Sequence, residues 1–335
     1  MKRILFSSMH VPWPWLRQTE DGSGVTGGSI FLLNAECSDA DFLAVYDEPH
    51  APLNIRIPFE RRILFIGEPP SVKVYPQSYL NQFGCIVSPF PLAAFRGRQE
   101  VHQSCLPWHY GVNFHQKNVC NEALSLADLL TIIPPEKTEE LSLICSTKIM
   151  TPEHRRRLKF VKELERVLGD RIAVFGRGFR EIGDKSDAIL PYKYHIVLEN
   201  NEIDNFWTEK TADAFLGYSL PLFSGCANLE SYFSANSFRR LDLNDIPRAI
   251  AAVQKVLEKD PYQESLSAIV DSRSRILGPY NLFNYLDALT DSIDQVIVRK
   301  SVSQTILRPS SRWQRCAGKL FSRLVSRISS FTCQN

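Results

Sequence analysis

Apolar residues in this chain come in short unbroken runs, and the runs repeatedly stop at a polar residue, a glycine or a proline. In the first third these runs are Lys2–Phe6, Phe42–Tyr46, Arg62–Ile66 and Cys85–Val87. The last three close at Asp47-Glu48-Pro49, Gly67-Glu68-Pro69-Pro70 and Ser88-Pro89. That pattern predicts strands of an open parallel sheet, with polar groups presented where the strands end. Residues 7–28, rich in Pro, Gly and Trp, predict a long irregular loop, and loops of that length are often functional. A second series follows: strands at Leu141–Cys145, Arg171–Phe175, Tyr194–Leu198, Leu220–Phe223 and Phe238–Leu241. Helical spacing is expected over Glu153–Leu168, with an acidic start and Gly169 as its stop, and over Ile246–Leu257 and Leu282–Val298.

Between the two series, residues 128–140 (DLLTIIPPEKTEE) combine two prolines with a charge cluster and read as a domain boundary. The expected organisation is therefore an α/β domain over 1–135, a second α/β domain over 136–298 and a basic tail over 299–335. At 335 residues the chain is long enough for two such cores. Its net charge of +2 gives no electrostatic case for a nucleic-acid partner. Eight cysteines form no C-x-x-C pair, which argues against a zinc knuckle. Scattered thiols and a start too short in apolar residues for a signal segment point to the cytoplasm.

The densest stretch is YKYHIVLENNEIDNFWTEKTADAFLGYSLPLFSG, residues 192–225. Its order is strand, polar loop, helix, strand. Thr208 is placed to cap the helix, and Glu209 lies in the first turn, where the helix dipole favours an acid. Lys210 gains nothing from the dipole at that end. A helix start beside an ammonium is suited to an anion such as phosphate, and an acid beside it suits ribose hydroxyls. A capped surface helix carrying a solvated charge pair is the other reading of those three residues.

The longer run, with nine residues between Asn200 and Lys210, resembles the YKF-x-L-x-FEN…Y-x-TEK…VP-x-x-G signature of the α-1,3/4-fucosyltransferases, glycosyltransferase family 10. Cys145-Ser146-Thr147 with Arg157, Phe160 and Leu164 is similar to that family's strand-S-N…R segment. Arg62-Ile-Leu-Phe-Ile-Gly67-Glu68 is similar to the R-I-x-x-x-G-E of bacterial members. The resemblance covers roughly residues 60 to 245. It implies two Rossmann-like domains facing a cleft, the GT-B architecture, and inverting, metal-independent transfer of fucose from GDP-fucose to a glycan hydroxyl. It implies Glu68 as general base, with Asp47 and Glu48 as alternatives at the preceding strand end. Arg157 and Lys210 become diphosphate ligands and Glu209 a ribose ligand, with Asn200 and Phe206 completing the donor pocket. The chain departs from the family at Phe206 (usually Tyr), Leu198 (usually Phe) and Thr147 (usually Asn). Another nucleotide sugar, or a binding protein without turnover, stand as alternatives. The acceptor expected is a bacterial lipopolysaccharide or another surface glycan.

Three further features change little. Asp39-Ala-Asp41 has the form of a metal-binding D-x-D but precedes a strand and reads as turn chemistry. Phe175-Gly-Arg-Gly178 lacks the third glycine of a dinucleotide site. His195, inside a strand, reads as a core residue. The tail is different: Trp313, Ala317, Leu320, Leu324, Ile328 and Phe331 fall on one helical face, and Arg315, Lys319, Arg323 and Arg327 on another. Residues 312–331 predict either a helix lying on an anionic membrane at the inner face of the cell, or one docked on the protein body.

Overall fold

The computed structural model describes residues 1–11, 13–115, 123–147, 152–295 and 302–309. Its strands are β1 (Lys2–Ser8), β2 (Val25–Thr26), β3 (Ser29–Leu33), β4 (Phe42–Tyr46), β5 (Leu53–Ile55), β6 (Arg62–Phe65), β7 (Cys85–Ser88), β8 (Arg98–Val101), β9 (Glu139–Ile144), β10 (Ile172–Phe175), β11 (Tyr192–Leu198), β12 (Leu220–Ser224), β13 (Arg239–Arg240) and β14 (Gln304–Ile306). The helices are α1 (Gln77–Leu80), α2 (Leu126–Thr131), α3 (Pro152–Leu168), α4 (Glu209–Leu216), α5 (Ile246–Lys259), α6 (Tyr262–Leu277) and α7 (Leu282–Asp294).

The first sheet runs β2-β3-β1-β4-β6-β7-β8, parallel except where β2 meets β3. Its central strands are buried on both faces, which is why they read as unbroken apolar runs. Ile4, Phe6, Phe42, Ala44, Ile63 and Phe65 enter one core layer. Leu5, Leu43, Val45, Leu64 and Ile66 enter the other. Each such side chain larger than alanine stabilises the fold by roughly 1.5–3 kcal/mol. The second sheet is wholly parallel in the order β10-β9-β11-β12-β13. In both sheets the strand order reverses once, between β1 and β4 in the first and between β9 and β11 in the second. Open parallel sheets bind ligands in the crevice outside the carboxyl ends of the strands at such a reversal.

The division in space does not follow the division expected in sequence. Trp108 and Tyr110, together with Leu126 and Leu129 of α2, already belong to the second core. Conversely α7 returns to the first: Leu282, Phe283, Leu286, Leu289 and Ile293 pack beneath β1, β4 and β6. Lys2 donates to Thr290 at 2.8 Å and to Asp291 at 2.5 Å, and β14 pairs antiparallel with β5. Residues 282–294 and 304–306 thus pack with the first unit, contrary to a second domain running to 298. Helical periodicity shows that a helix buries one face, but not against which sheet.

The 7–28 segment is more ordered than its composition suggests. It holds a 3-10 turn at Trp15–Gln18 and the β2–β3 hairpin. Trp15 is buried between Phe6 and Tyr46. Arg17 is buried with its guanidinium on the carbonyls of Leu124, Trp108 and Tyr110, at 2.6, 2.7 and 2.9 Å. Burial lowers that guanidinium to about 10, against the pull of Asp213 and Asp184. The residue ties the first domain's loop to the strap that leads into the second.

Candidate functional site

Between β11 and α4 the chain is held by one buried carboxylate. Glu199, the residue after β11, accepts from the Thr208 backbone N–H at 2.8 Å, from Thr208 Oγ1 at 2.7 and 2.9 Å, and from Thr211 Oγ1 at 3.0 Å. Thr208 caps α4 as its sequence position predicts, its hydroxyl accepting from the Lys210 N–H at 3.3 Å. Space for Glu199 depends on Gly225 just past β12: its φ is +151°, and a Cβ there would lie 2.5 Å from the Cβ of Glu199.

A cavity of about 430 Å³ opens at the reversal point of the second sheet. Arg157, Asn200, Glu209 and Lys210, drawn from three separate segments, all line it. On α3 the three consecutive arginines diverge as 100° steps require. Arg155 is exposed, Arg156 reaches Asn244, and Arg157 turns into the cavity. Arg157 donates from Nη1 to Asn200 Oδ1 at 2.6 Å, while its buried Nε finds no partner among the described residues. Gly176 lets β10 pass this wall: its φ is +111°, and a Cβ would meet the Cys145 carbonyl oxygen at 2.2 Å.

Lys210 and Glu209 are paired in the cavity. Lys210 Nζ lies 3.2 Å from Glu209 Oε1 and 3.5 Å from Glu199 Oε2. Burial opposes its charge, but those two carboxylates outweigh it and hold the ammonium above its usual range. Burial also works against the Glu209 carboxylate, yet Lys210 and Lys185 hold it well below the ordinary carboxylate range. Sequence reasoning did not single out Lys185, Asp213 or His109. Asp213, buried on α4, accepts from Lys185 Nζ at 2.8 Å and from the backbone N–H groups of His109 and Tyr110, both at 2.9 Å. A signal existed: an acid between Ala212 and Ala214 on a buried helix face must be paired. His195 is a core residue as expected, bonded to Ser142 Oγ at 2.8 Å, but its ring also forms part of the cavity wall. Burial lowers it to about 3, and lowers His109 to about 4.

Glu68 sits on the other domain, three residues past β6, outside the cavity wall proper. Its carboxylate is exposed, with no hydrogen bond or ion pair among the described residues. The protein mass around it and the charge of Asp47 nevertheless raise it, and the opposing charges of Glu209 and Lys210 reach it from the second domain. Asp47 and Glu48 are buried and engaged by Lys73. Phe206 does not line the cavity: it is 2% exposed, turned into the protein interior beside Trp207. An aromatic without a hydroxyl is better buried than left at a polar wall. Asp39 and Asp41 precede β4 and link it to β1, and do not serve the turn as expected: Asp41 accepts from the Arg3 N–H at 2.7 Å, and Asp39 lies 3.8 Å from the Arg3 guanidinium. No described helix is long and apolar enough to cross a membrane, and the tail helix expected at 312–331 lies outside the described residues.

Comparison with known proteins adds three findings. The family model "Glycosyltransferase family 10 (fucosyltransferase) C-term" matches residues 134–264. The 4-galactosyl-N-acetylglucosaminide 3-alpha-L-fucosyltransferase 9 of Homo sapiens, like that of Mus musculus, is 32% identical over 114 residues, 32% of this chain. The match spans only 31% of those relatives' length. Among solved structures, an alpha1,3-fucosyltransferase with GDP aligns over 88% of this chain and 90% of its own, with a TM-score of 0.53 at 16% identity. The same protein type with GDP-fucose aligns over 90% and 92%, with a TM-score of 0.52 at 16% identity. At that identity the likeness establishes the two-domain GT-B fold.

Proposed function

We propose that this chain, whose residues 134–264 match the glycosyltransferase family 10 model, is a member of that family and moves fucose from GDP-fucose to a hydroxyl of a glycan acceptor, inverting the anomeric carbon without a metal ion. The observation that carries the reading is the convergence of Arg157, Asn200, Glu209 and Lys210 on one cavity at the start of α4. Backbone N–H groups at a helix start, an ammonium and a guanidinium with an unused N–H suit a diphosphate. Glu209, kept ionised, is an acceptor for ribose hydroxyls.

In this reading Glu68 takes the proton of the acceptor hydroxyl as that oxygen forms its bond to C1 of fucose. The bond from C1 to the diphosphate oxygen breaks on the opposite face, and GDP leaves. A carboxylate raised above its ordinary value, and without a hydrogen bond or ion pair among the described residues, is suited to the first task. Fixed cations at the leaving group stabilise the charge that develops there, the role a metal plays in other transferases. Asp47 and Glu48 are poor candidates for the base, because both are held by Lys73. Binding at the inner membrane face through residues 312–331 belongs to the same proposal.

The test is GDP release from GDP-fucose with EDTA present, over a panel of glycan acceptors. Glu68→Gln is expected to lower kcat at least 100-fold while leaving the GDP dissociation constant within about twofold. Normal turnover in that variant would remove Glu68 as the base. Tight GDP binding with no turnover on any acceptor would favour a binding protein.

A further inference from the structure

The base proposed above stands on a loop that is pinned from below by charges the reaction does not use. Lys73 lies in the same loop as Glu68, closed by the Val72 and Lys73 N–H groups on the Pro69 carbonyl at 2.9 and 3.0 Å. Its ammonium sits 2.8 Å from Asp47 Oδ2, bonds Glu48, and stacks 4.9 Å over the Tyr75 ring. The Tyr75 hydroxyl donates to the other Asp47 oxygen and lies against the Glu68 backbone N–H. The Asp47 carbonyl accepts from the Tyr79 hydroxyl at 3.0 Å, and its N–H donates to the Phe65 carbonyl at 3.0 Å. Every polar group of Asp47 is therefore used. Asp47 holds this position with φ +64°, a left-handed conformation that side chains rarely adopt outside Asp, Asn and Gly. Strained residues of this kind persist where the surroundings over-determine them, and they cluster at functional sites.

The cluster sits at the carboxyl edge of β4, at the reversal point of the first sheet, beside β6 and the turn after it that carries Glu68. Resting on the reading of Glu68 as base, we propose that Lys73 and Asp47 are positioning residues: together they fix the Glu68 loop and set the pH range in which Glu68 accepts a proton. The side chains of Lys73, Asp47 and Glu48 are 11%, 8% and 7% exposed, so water screens their charges weakly. Four charged groups act on Glu68: Asp47 and Lys73 from its own domain, Glu209 and Lys210 from across the cleft. The first pair can be altered without touching the donor cavity.

The experiment titrates Glu68 directly. The side-chain carboxyl carbon of Glu68 is followed by ¹³C NMR, assigned by its loss in Glu68→Gln, and the acid limb of the kcat/KM profile is measured in parallel. Asp47→Asn keeps the left-handed backbone and removes the negative charge, so the Glu68 midpoint is expected to fall by about half a pH unit or more. Lys73→Met removes the positive charge and is expected to raise it by a similar amount, and Lys73→Arg is expected to restore it. Tyr75→Phe, the mildest change, tests the pin alone and is expected to move the midpoint less than either. GDP affinity is expected to stay within about twofold in all four. Midpoints that coincide with the unaltered protein in folded Asp47→Asn and Lys73→Met would overturn the proposal. A shifted NMR midpoint with normal turnover in Glu68→Gln would instead sink the base assignment while leaving the coupling intact.

Discussion

Glu199 is the residue on which the donor side hangs, and it does so without facing a ligand. The Glu-Asn pair of the 192–225 run reads as two polar groups delivered to a site. Only Asn200 is delivered; Glu199 turns inward and ties the loop to the cap of α4. Replacing Glu199 with Ala leaves the Thr208 and Thr211 donors without their acceptor and Lys210 with Glu209 as its remaining carboxylate partner, which costs about 1–3 kcal/mol. A lower Tm and a weaker GDP dissociation constant are both expected, measured by thermal shift and calorimetry. The buried imidazoles give a second expectation. His195 and His109 stay neutral in the fold to about 3 and about 4, whereas the unfolded chain takes up these protons near 6.5. Because the folded values are lowered, stability is full above about pH 7 and falls as the pH drops through 6.5 toward 4. The slope from each is at most about 1.4 kcal/mol per pH unit. Urea melts between pH 7 and 4.5 are expected to show that decline, and His195→Gln to flatten it.

At the scale of elements, the strands were the most legible part of the sequence. Phe42–Tyr46 and Tyr192–Leu198 are buried on both faces, so their apolar runs leave little ambiguity. The α4 cap was equally plain, because Thr208 and Glu209 act through local bonds. What stayed hidden depends on partners distant in sequence. α6 was missed because serines punctuate its buried face at Ser265 and Ser272 and blur its period. Lys185 and His109 belong to no motif; only the fold brings them to Asp213. Phe206 lies within the matching run, yet spacing alone did not tell that its ring turns inward. Backbone closeness gives a sharp test here. Gly176→Ala would drive a methyl into the Cys145 carbonyl, so the β9 and β10 ends must move apart where Arg157 and Gly176 face each other. A loss of at least tenfold in GDP affinity is expected by calorimetry, with the global fold retained by circular dichroism.

For the whole molecule, the two cores are not stabilised alike. The first depends on α7, which arrives after the second domain is complete. Phe283 is fully buried against Phe6 and Phe31, with ring centroids 5.3 and 4.7 Å away. Phe283→Ala is expected to cost about 3–5 kcal/mol and to act on the first domain selectively. Limited proteolysis should then cut within residues 1–101 before it cuts within 139–277. Equal protection of both halves would contradict the assignment of α7.

The return of the chain also decides how the halves can move. The backbone passes between domains twice, once between Cys105 and Trp108 and once between Leu277 and Leu282. The chain just before the first passage touches the second, the Gln103 amide donating to the Tyr280 carbonyl at 3.4 Å. Two neighbouring covalent links make a door hinge, not a ball joint: the halves swing about one axis, and twisting is resisted. In the proposed reaction Glu68 on one leaf would therefore meet a sugar held on the other along a single arc, its alignment inherited from the architecture and not searched for at each turnover.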